Sequence, residues 1–92
     1  MEALSNTDIT KELIHLKGWE LINNGIEKKH IFKDFNEAFA FLTRVALLSE
    51  SMNHHAEWSG VYNKVNIRLT THDSGGVTGL DIKMASKLDS YT

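Results

Sequence analysis

The chemistry-capable residues of this chain concentrate in Asn53-His54-His55-Ala56-Glu57-Trp58, with a third histidine at His72 and an acid, Glu50, one helical turn before the pair. Imidazole has an unperturbed pKa of ~6.5, so it gives or takes a proton at neutral pH without help. The histidine pair lies between an apolar, helix-like run that ends near Met52 and a β-rich run that begins near Trp58. His72 closes that second run. Junctions of this kind let loops carry reactive groups on a rigid scaffold.

Three chemistries can be weighed from residue types and spacing. Metal binding is disfavoured: His54 and His55 are adjacent, so they diverge by about 100° on a helix or point to opposite faces of a strand. No His-x-x-x-His or His-Glu-x-x-His spacing occurs, and there is no cysteine. Nucleophilic catalysis lacks a Gly-x-Ser-x-Gly elbow. Acid–base catalysis needs only two or three proton carriers around one site, and the sheet could bring His54, His55 and His72 together to supply them. Glu50 is placed to influence a nearby imidazole or to bind an N–H-rich ligand. The remaining histidines, His15 and His30, read as solvated surface residues, His30 as a strand histidine facing water.

The elements that must position these groups follow from local pattern. Ser5 and Asp8 make a capping-box-like start to a first helix over about Asn6 to Lys17, which stops before Gly18. Trp19–Asn23 and Ile26–Phe32 read as two strands joined at Asn24-Gly25, a hairpin signal because a type I′ turn needs positive φ at both central residues. Asp34 caps a second helix over Phe35–Ser51. Its stripe of Phe35, Ala38, Phe39, Leu42, Val45, Ala46 and Ser49 is spaced by threes and fours, while Phe41, Leu48 and Met52 fall outside it. A helix apolar on more than one side packs on a sheet and also on another subunit.

Beyond the histidine pair, Trp58–Tyr62 and Val65–His72 form strands three and four around a turn at Asn63-Lys64. Val65, Ile67 and Leu69 alternate with Asn66, Arg68 and Thr70, the period of a strand with one wet face. A flexible loop, Asp73-Ser74-Gly75-Gly76, precedes a second capping pair, Thr78 and Asp81. A last helix then runs from about Gly79 to Ser90 with Ile82, Ala85 and Leu88 inward. The order α-β-β-α-β-β-α predicts an α+β fold: one four-stranded antiparallel sheet with three helices packed on one face.

Composition bounds the partners. With 92 residues, 41% hydrophobic and 24% charged, the chain is one globular domain with no linker or repeat. A net charge of -2 and no basic run longer than Lys28-Lys29 argue against nucleic acid. No apolar stretch is long enough for a bilayer, and no signal peptide precedes Ser5, so a cytoplasmic location is expected.

Taken together, Glu50-x-x-x-His54-His55-x-Glu57-Trp58, Val61-Tyr62-Asn63-Lys64-Val65 and Thr71-His72-Asp73 with Gly76 and Asp81 resemble the signature of the pterin-4a-carbinolamine dehydratases. Gly18-Trp19 and Phe35-Asn36-x-Ala38-Phe39-x-Phe41 extend the likeness over nearly the whole chain. The resemblance implies dehydration of 4a-hydroxytetrahydrobiopterin to quinonoid dihydropterin, the step that regenerates pterin after aromatic amino acid hydroxylation, with no cofactor and no metal. It places His54, His55 and His72 at the catalytic positions, with His54 and His72 moving protons and His55 orienting the pterin. Glu50, His54, His55, Ala56, Thr71, His72, Asp73, Ser74 and Asp81 fall at its substrate-binding positions. Ala56 departs from the family pattern, which has proline there; proline would fix φ near −65°, and alanine is expected to loosen the exit of the histidine pair.

The resemblance also implies a homo-oligomer, dimer or tetramer, built through edge strands and the apolar surface from Phe35 to Met52. The rival class is a non-catalytic interaction protein, a dimerisation cofactor working through its long apolar helix. Substitution of Phe41 or Leu48 is the expected discriminator between self-association and capture of another protein.

Overall fold

The computed structural model describes every residue from Met1 to Thr92. Alternation along β4 (Lys64–Leu69) sets the architecture: Val65, Ile67 and Leu69 are buried on one face while Asn66 and Arg68 stay on the other. β2 (Gly25–Ile31) pairs antiparallel with it, Ile26 opposite Leu69, Lys28 opposite Ile67 and His30 opposite Val65. β1 (Glu20–Ile22) and β3 (Glu57–Val61) complete a four-stranded antiparallel sheet in the order β1-β2-β4-β3. Three helices, α1 (Asn6–Leu13), α2 (Phe35–Ser51) and α3 (Gly79–Asp89), cover the Val65 face, giving the α+β arrangement and element order that the sequence predicts. Their contribution to the core includes Ile9, Phe41, Val45, Met84, Ala85 and Leu88.

The first helix ends at Leu13 rather than Lys17, because the amides of Ile14, His15 and Leu16 bond three residues back, a tightening that closes the last turn and still buries Leu16. At its start only the Ser5 half of the capping box forms, with Ser5 Oγ accepting from the Asp8 amide at 3.1 Å. Both hairpin turns lie one residue earlier than expected. Asn23 and Asn24 take positive φ of 47° and 64° between Ile22 and Gly25, and Tyr62-Asn63 links Val61 to Lys64. Asparagine tolerates the left-handed region, so the first loop does not need Gly25 at its centre. Gly25 serves contact instead: a Cβ there would stand 2.5 Å from Arg68 Nη1. Arg68 uses that space to donate to the carbonyls of Ile22 and Asn23, each at 2.7 Å, and to Glu27 at 3.0 Å.

α2 starts and stops where the sequence places it, with Asp34 Oδ1 accepting from the Glu37 amide at 2.9 Å. Its buried face is Ala38, Phe41, Val45 and Ser49, so the helix is rotated from the predicted stripe: Phe41 is core, whereas Phe35, Phe39 and Ala46 are exposed. Ala38, Val45 and Ser49 of the predicted stripe do face inward; on a helix apolar on several sides Phe41 shares their face by the same spacing of three and four, and it is buried with them in place of Phe35 and Phe39. Phe41 therefore reports on the core rather than on a docking surface. In α3 the inward residues are Met84, Ala85 and Leu88 with Ile82 half-buried, and Asp89 Oδ1 accepts from Trp19 Nε1 at 3.0 Å and Lys28 Nζ at 3.1 Å.

His15 is exposed as expected, but His30 is not. It shares the parity of Ile26, which turns it inward, where it is 6% exposed among Trp19, Phe32 and Phe41; its ring centroid lies 4.7 Å from that of Phe41. Neither ring nitrogen has a hydrogen-bond partner, and burial, with Lys28 nearby, pushes its pKa below 6.5 against the pull of Asp89 and the adjacent backbone. The unfolded chain therefore binds more protons than the fold just below about pH 6.5, so stability rises with pH through that window and is lost as pH falls. Thermal melts from about pH 7.5 down to 5 should show a steeper fall in Tm for the wild type than for His30→Phe; parallel slopes would show that His30 does not titrate on unfolding.

Candidate active site

The three histidines are delivered by two local devices. His54 follows the C-terminus of α2, where Asn53 takes φ 50° and lets the His54 amide bond Ser49 O at 2.9 Å and the Asn53 amide bond Glu50 O at 3.1 Å. This pair of bonds is a Schellman closure, with asparagine in the left-handed position usually held by glycine. It turns the chain sharply, so that His54 points back to the body of the protein while His55 projects outward. His72 is not at the end of a strand as expected: β4 stops at Leu69, and His72 opens a single 3-10 turn, His72–Ser74. The segment that follows is an ordered loop, closed by reciprocal backbone bonds between Thr71 and Gly76 at 3.0 and 3.3 Å.

Each histidine faces one carboxylate. His54 Nε2 lies 2.5 Å from Asp81 Oδ1, His55 Nε2 lies 2.6 Å from Glu50 Oε1, and His72 Nε2 lies 3.2 Å from Glu57 Oε2. Their environments differ sharply. The His54 and Asp81 side chains are 10% and 0% exposed, whereas the other two pairs are largely open to solvent. Exposed pairs contribute little to stability, of order 0–1 kcal/mol, so the two outer pairs orient rings rather than hold the fold.

The buried pair has a fixed hydrogen-bond logic. Asp81 Oδ2 accepts from Thr71 Oγ1 at 2.8 Å and from the Thr78 amide at 2.9 Å, which completes a full capping box on α3. Thr71 spends its hydroxyl hydrogen on Asp81, so Thr78 Oγ1 donates to Thr71 Oγ1 at 2.9 Å while accepting from the Leu80 amide at 3.2 Å. With Asp81 an acceptor throughout, His54 Nε2 carries the hydrogen, and in the neutral ring Nδ1 presents a lone pair. That is the tautomer of a proton acceptor held in place by a buried acid.

Asp81 is thus behind His54, not on an open surface, and Ser74 directs its hydroxyl to the Met1 carbonyl. Asp73 is exposed beside His72, and Thr71 connects Asp81 to the His72 turn. The Thr78–Asp81 capping pair forms as predicted and also holds Thr71 and His54, while the sequence leaves two participants without a role: Glu57 as the partner of His72, and Ser49 beneath the histidine pair. A polar residue in an otherwise apolar helix stripe was the available signal for Ser49. No group of three or more His, Cys, Asp or Glu side chains is arranged to hold a metal ion.

The family model described as pterin 4 alpha carbinolamine dehydratase matches residues 2–91. A protein of Mesorhizobium japonicum named "Putative pterin-4-alpha-carbinolamine dehydratase" is 50% identical over 92 residues, covering 98% of this chain and 94% of its own. A protein of the same name from Sulfurisphaera tokodaii is 48% identical over 89 residues, covering 97% of this chain and 96% of its own. Among solved structures, the crystal structure of a transcriptional coactivator/pterin dehydratase from Brucella melitensis superposes with a TM-score of 0.93 at 40% identity, covering 97% of each chain.

Asp81→Asn places an amide where His54 Nε2 now donates, so the His54 tautomer should switch to Nδ1–H. Nitrogen-15 spectra of labelled imidazoles would read this switch, with a stability loss of about 1–3 kcal/mol from the disturbed network. An unchanged His54 spectrum would refute the tautomer assigned above.

Proposed function

Because the chain belongs to the pterin 4 alpha carbinolamine dehydratase family, we propose that its single domain, residues 1–92, dehydrates 4a-hydroxytetrahydrobiopterin to quinonoid dihydropterin by histidine acid–base catalysis. The observation that carries this reading is the Asp81–His54 pair, in which a buried carboxylate fixes Nε2–H and leaves Nδ1 as the nitrogen available for proton transfer, while His55 and His72 are each held by a carboxylate of their own. The reaction breaks the C4a–O bond. The departing hydroxyl takes a proton and leaves as water, while the ring N–H gives up its proton and its electron pair forms the new C=N bond.

His54 suits the second task, receiving the ring proton at Nδ1 while Asp81 holds Nε2–H. His72 suits the first: it is exposed, so it can recover a lost proton directly from solvent, and Glu57 fixes its ring. His55, steered by Glu50, binds and orients the pterin. Asp73, exposed beside His72, offers a polar group to the amide-like edge of a pterin, while Thr71, Ser74 and Ala56 border the substrate surface with their hydroxyls and amide engaged by Asp81, Met1 and Ser49. Asp81 acts through His54 rather than on the substrate. No organic cofactor enters this scheme, and the activity would serve tetrahydrobiopterin recycling in the cytoplasm, alongside an aromatic amino acid hydroxylase.

The reading includes self-association as a dimer or tetramer. β3 is an edge strand exposed along its whole length, and beside it Phe35, Ala38, Phe39, Leu42, Trp58 and Val61 line an apolar groove of about 230 Å³. Unpaired edge amides next to exposed aromatic rings are the features of a surface that a second copy covers. The curated relatives described above carry the dehydratase name, and nothing on α2 identifies a foreign partner, so the dimerisation-cofactor reading is not taken further.

In a coupled hydroxylase assay, the wild type should accelerate carbinolamine dehydration, and His54→Ala and His72→Ala should each lose roughly 10²-fold or more of that acceleration with the fold intact. His15→Ala, remote in the chain and exposed, should be unaffected. A folded wild type that leaves the rate unchanged would refute the enzyme reading. Phe39→Glu should shift the protein toward monomer in sedimentation velocity; an unchanged assembly would place the interface elsewhere.

A further inference from the structure

Ser49 is the one polar side chain on the buried face of α2, at 3% exposure, and it is bound to the histidine segment twice. Its carbonyl accepts from the His54 amide at 2.9 Å, and its hydroxyl oxygen accepts from the Ala56 amide at 3.3 Å. The two bonds bracket His54-His55-Ala56 at both ends. Neither partner has a substitute: the Ser49 Oγ–Ala56 N–H bond is the only one the structure gives either group. A buried hydroxyl without such a bond would be costly, and serine in a helix interior is neutral to unfavourable, so local propensity does not account for it.

We propose that Ser49 is a positioning residue for the catalytic pair: its hydroxyl, through the Ala56 amide, fixes the exit of the histidine segment into β3. The loosened exit expected from alanine at position 56 does not follow, because a hydrogen bond supplies the constraint that a proline ring would supply covalently. Ala56 has no positive φ, and a proline there would dispense with the N–H that Ser49 now receives. The chain thus holds its two histidines from below, from the third-last residue of the helix, rather than by stiffening the strand entry itself. The Asp81 contact fixes the far end of the His54 ring; Ser49 fixes the backbone from which both rings project.

This inference rests on the dehydratase reading for its kinetic arm but not for its spectroscopic arm. Ser49→Ala removes the hydroxyl and keeps a strong helix former, so the fold should persist with a small change in Tm. Amide hydrogen exchange at Ala56 should quicken by at least about fivefold, the equivalent of a single net hydrogen bond. The imidazole resonances of His54 and His55 should shift while that of His72 stays put. In the dehydration assay kcat should fall roughly fivefold with KM little changed, as expected when the reacting geometry is loosened but substrate contacts remain. Adding Ala56→Pro to Ser49→Ala, in a variant shown to fold by circular dichroism, should restore kcat.

Unchanged Ala56 exchange and unchanged His54 and His55 resonances in Ser49→Ala would overturn the proposal, whatever the activity. A fall in kcat matched by an equal loss in a distant, equally destabilised variant would also overturn it, since it would trace to stability alone. A wild type without dehydratase activity would defeat the functional reading and leave the exchange and resonance measurements to decide the role of Ser49.

Discussion

The Asp81 carboxylate is the point on which the site depends. It is fully buried, and it is reached by three donors from three separate parts of the chain: the His54 ring after α2, the Thr71 hydroxyl beyond β4 and the Thr78 amide at the head of α3. A buried acid is tolerable only when its oxygens are saturated, so these three segments must meet correctly for the domain to be stable at all. The same hydrogen bonds that satisfy the acid therefore set the position of the His54 ring, the most sheltered of the three site histidines.

Outward from that point the imidazole–carboxylate pairs become progressively wetter. His54 is pinned and sheltered, while His55 and His72 are tethered to Glu50 and Glu57 in solvent. Glu57 is in turn aligned by the sheet: it stands directly opposite Arg68, which stands opposite Glu27, and Arg68 also clamps the first hairpin turn. The arrangement gives one ring a fixed tautomer and leaves two rings in exchange with water. A reaction that moves one proton onto a leaving oxygen and another off a ring nitrogen needs both kinds. His30 offers the contrast of a histidine without any such partner, its pKa lowered by burial first and by nearby Lys28 second.

The element order and the extent of α2 were legible because each rests on local signals: Asp34 as a cap, a long apolar repeat, and strict alternation in Val65–Leu69. The inward positions Ala38, Val45 and Ser49 were legible too, but not the burial of Phe41 in place of Phe35, since both are three residues from Ala38. Both hairpin turns lie one residue earlier than the pattern predicts because Asn23, Asn24 and Tyr62 take positive φ, tolerated by asparagine but uncommon for tyrosine. The burial of His30 departs from the general expectation that a strand histidine faces water, although its parity with Ile26 points inward. The chemical residues were visible as types and as parts of a spaced motif. Their pairing was not, because His54 and Asp81 are 27 positions apart and the contact exists only once the Thr78 cap and the Asn53 turn are both formed.

The most direct test of this account is the rate of 4a-carbinolamine dehydration by Asp81→Asn relative to wild type, in protein shown to be folded at the assay temperature. If a buried acid sets the tautomer through which His54 accepts the ring proton, the substitution should cost on the order of 10²-fold in kcat while KM changes little. A folded Asp81→Asn protein that turns over as fast as wild type would contradict it, and would mean that Asp81 serves the helix cap alone.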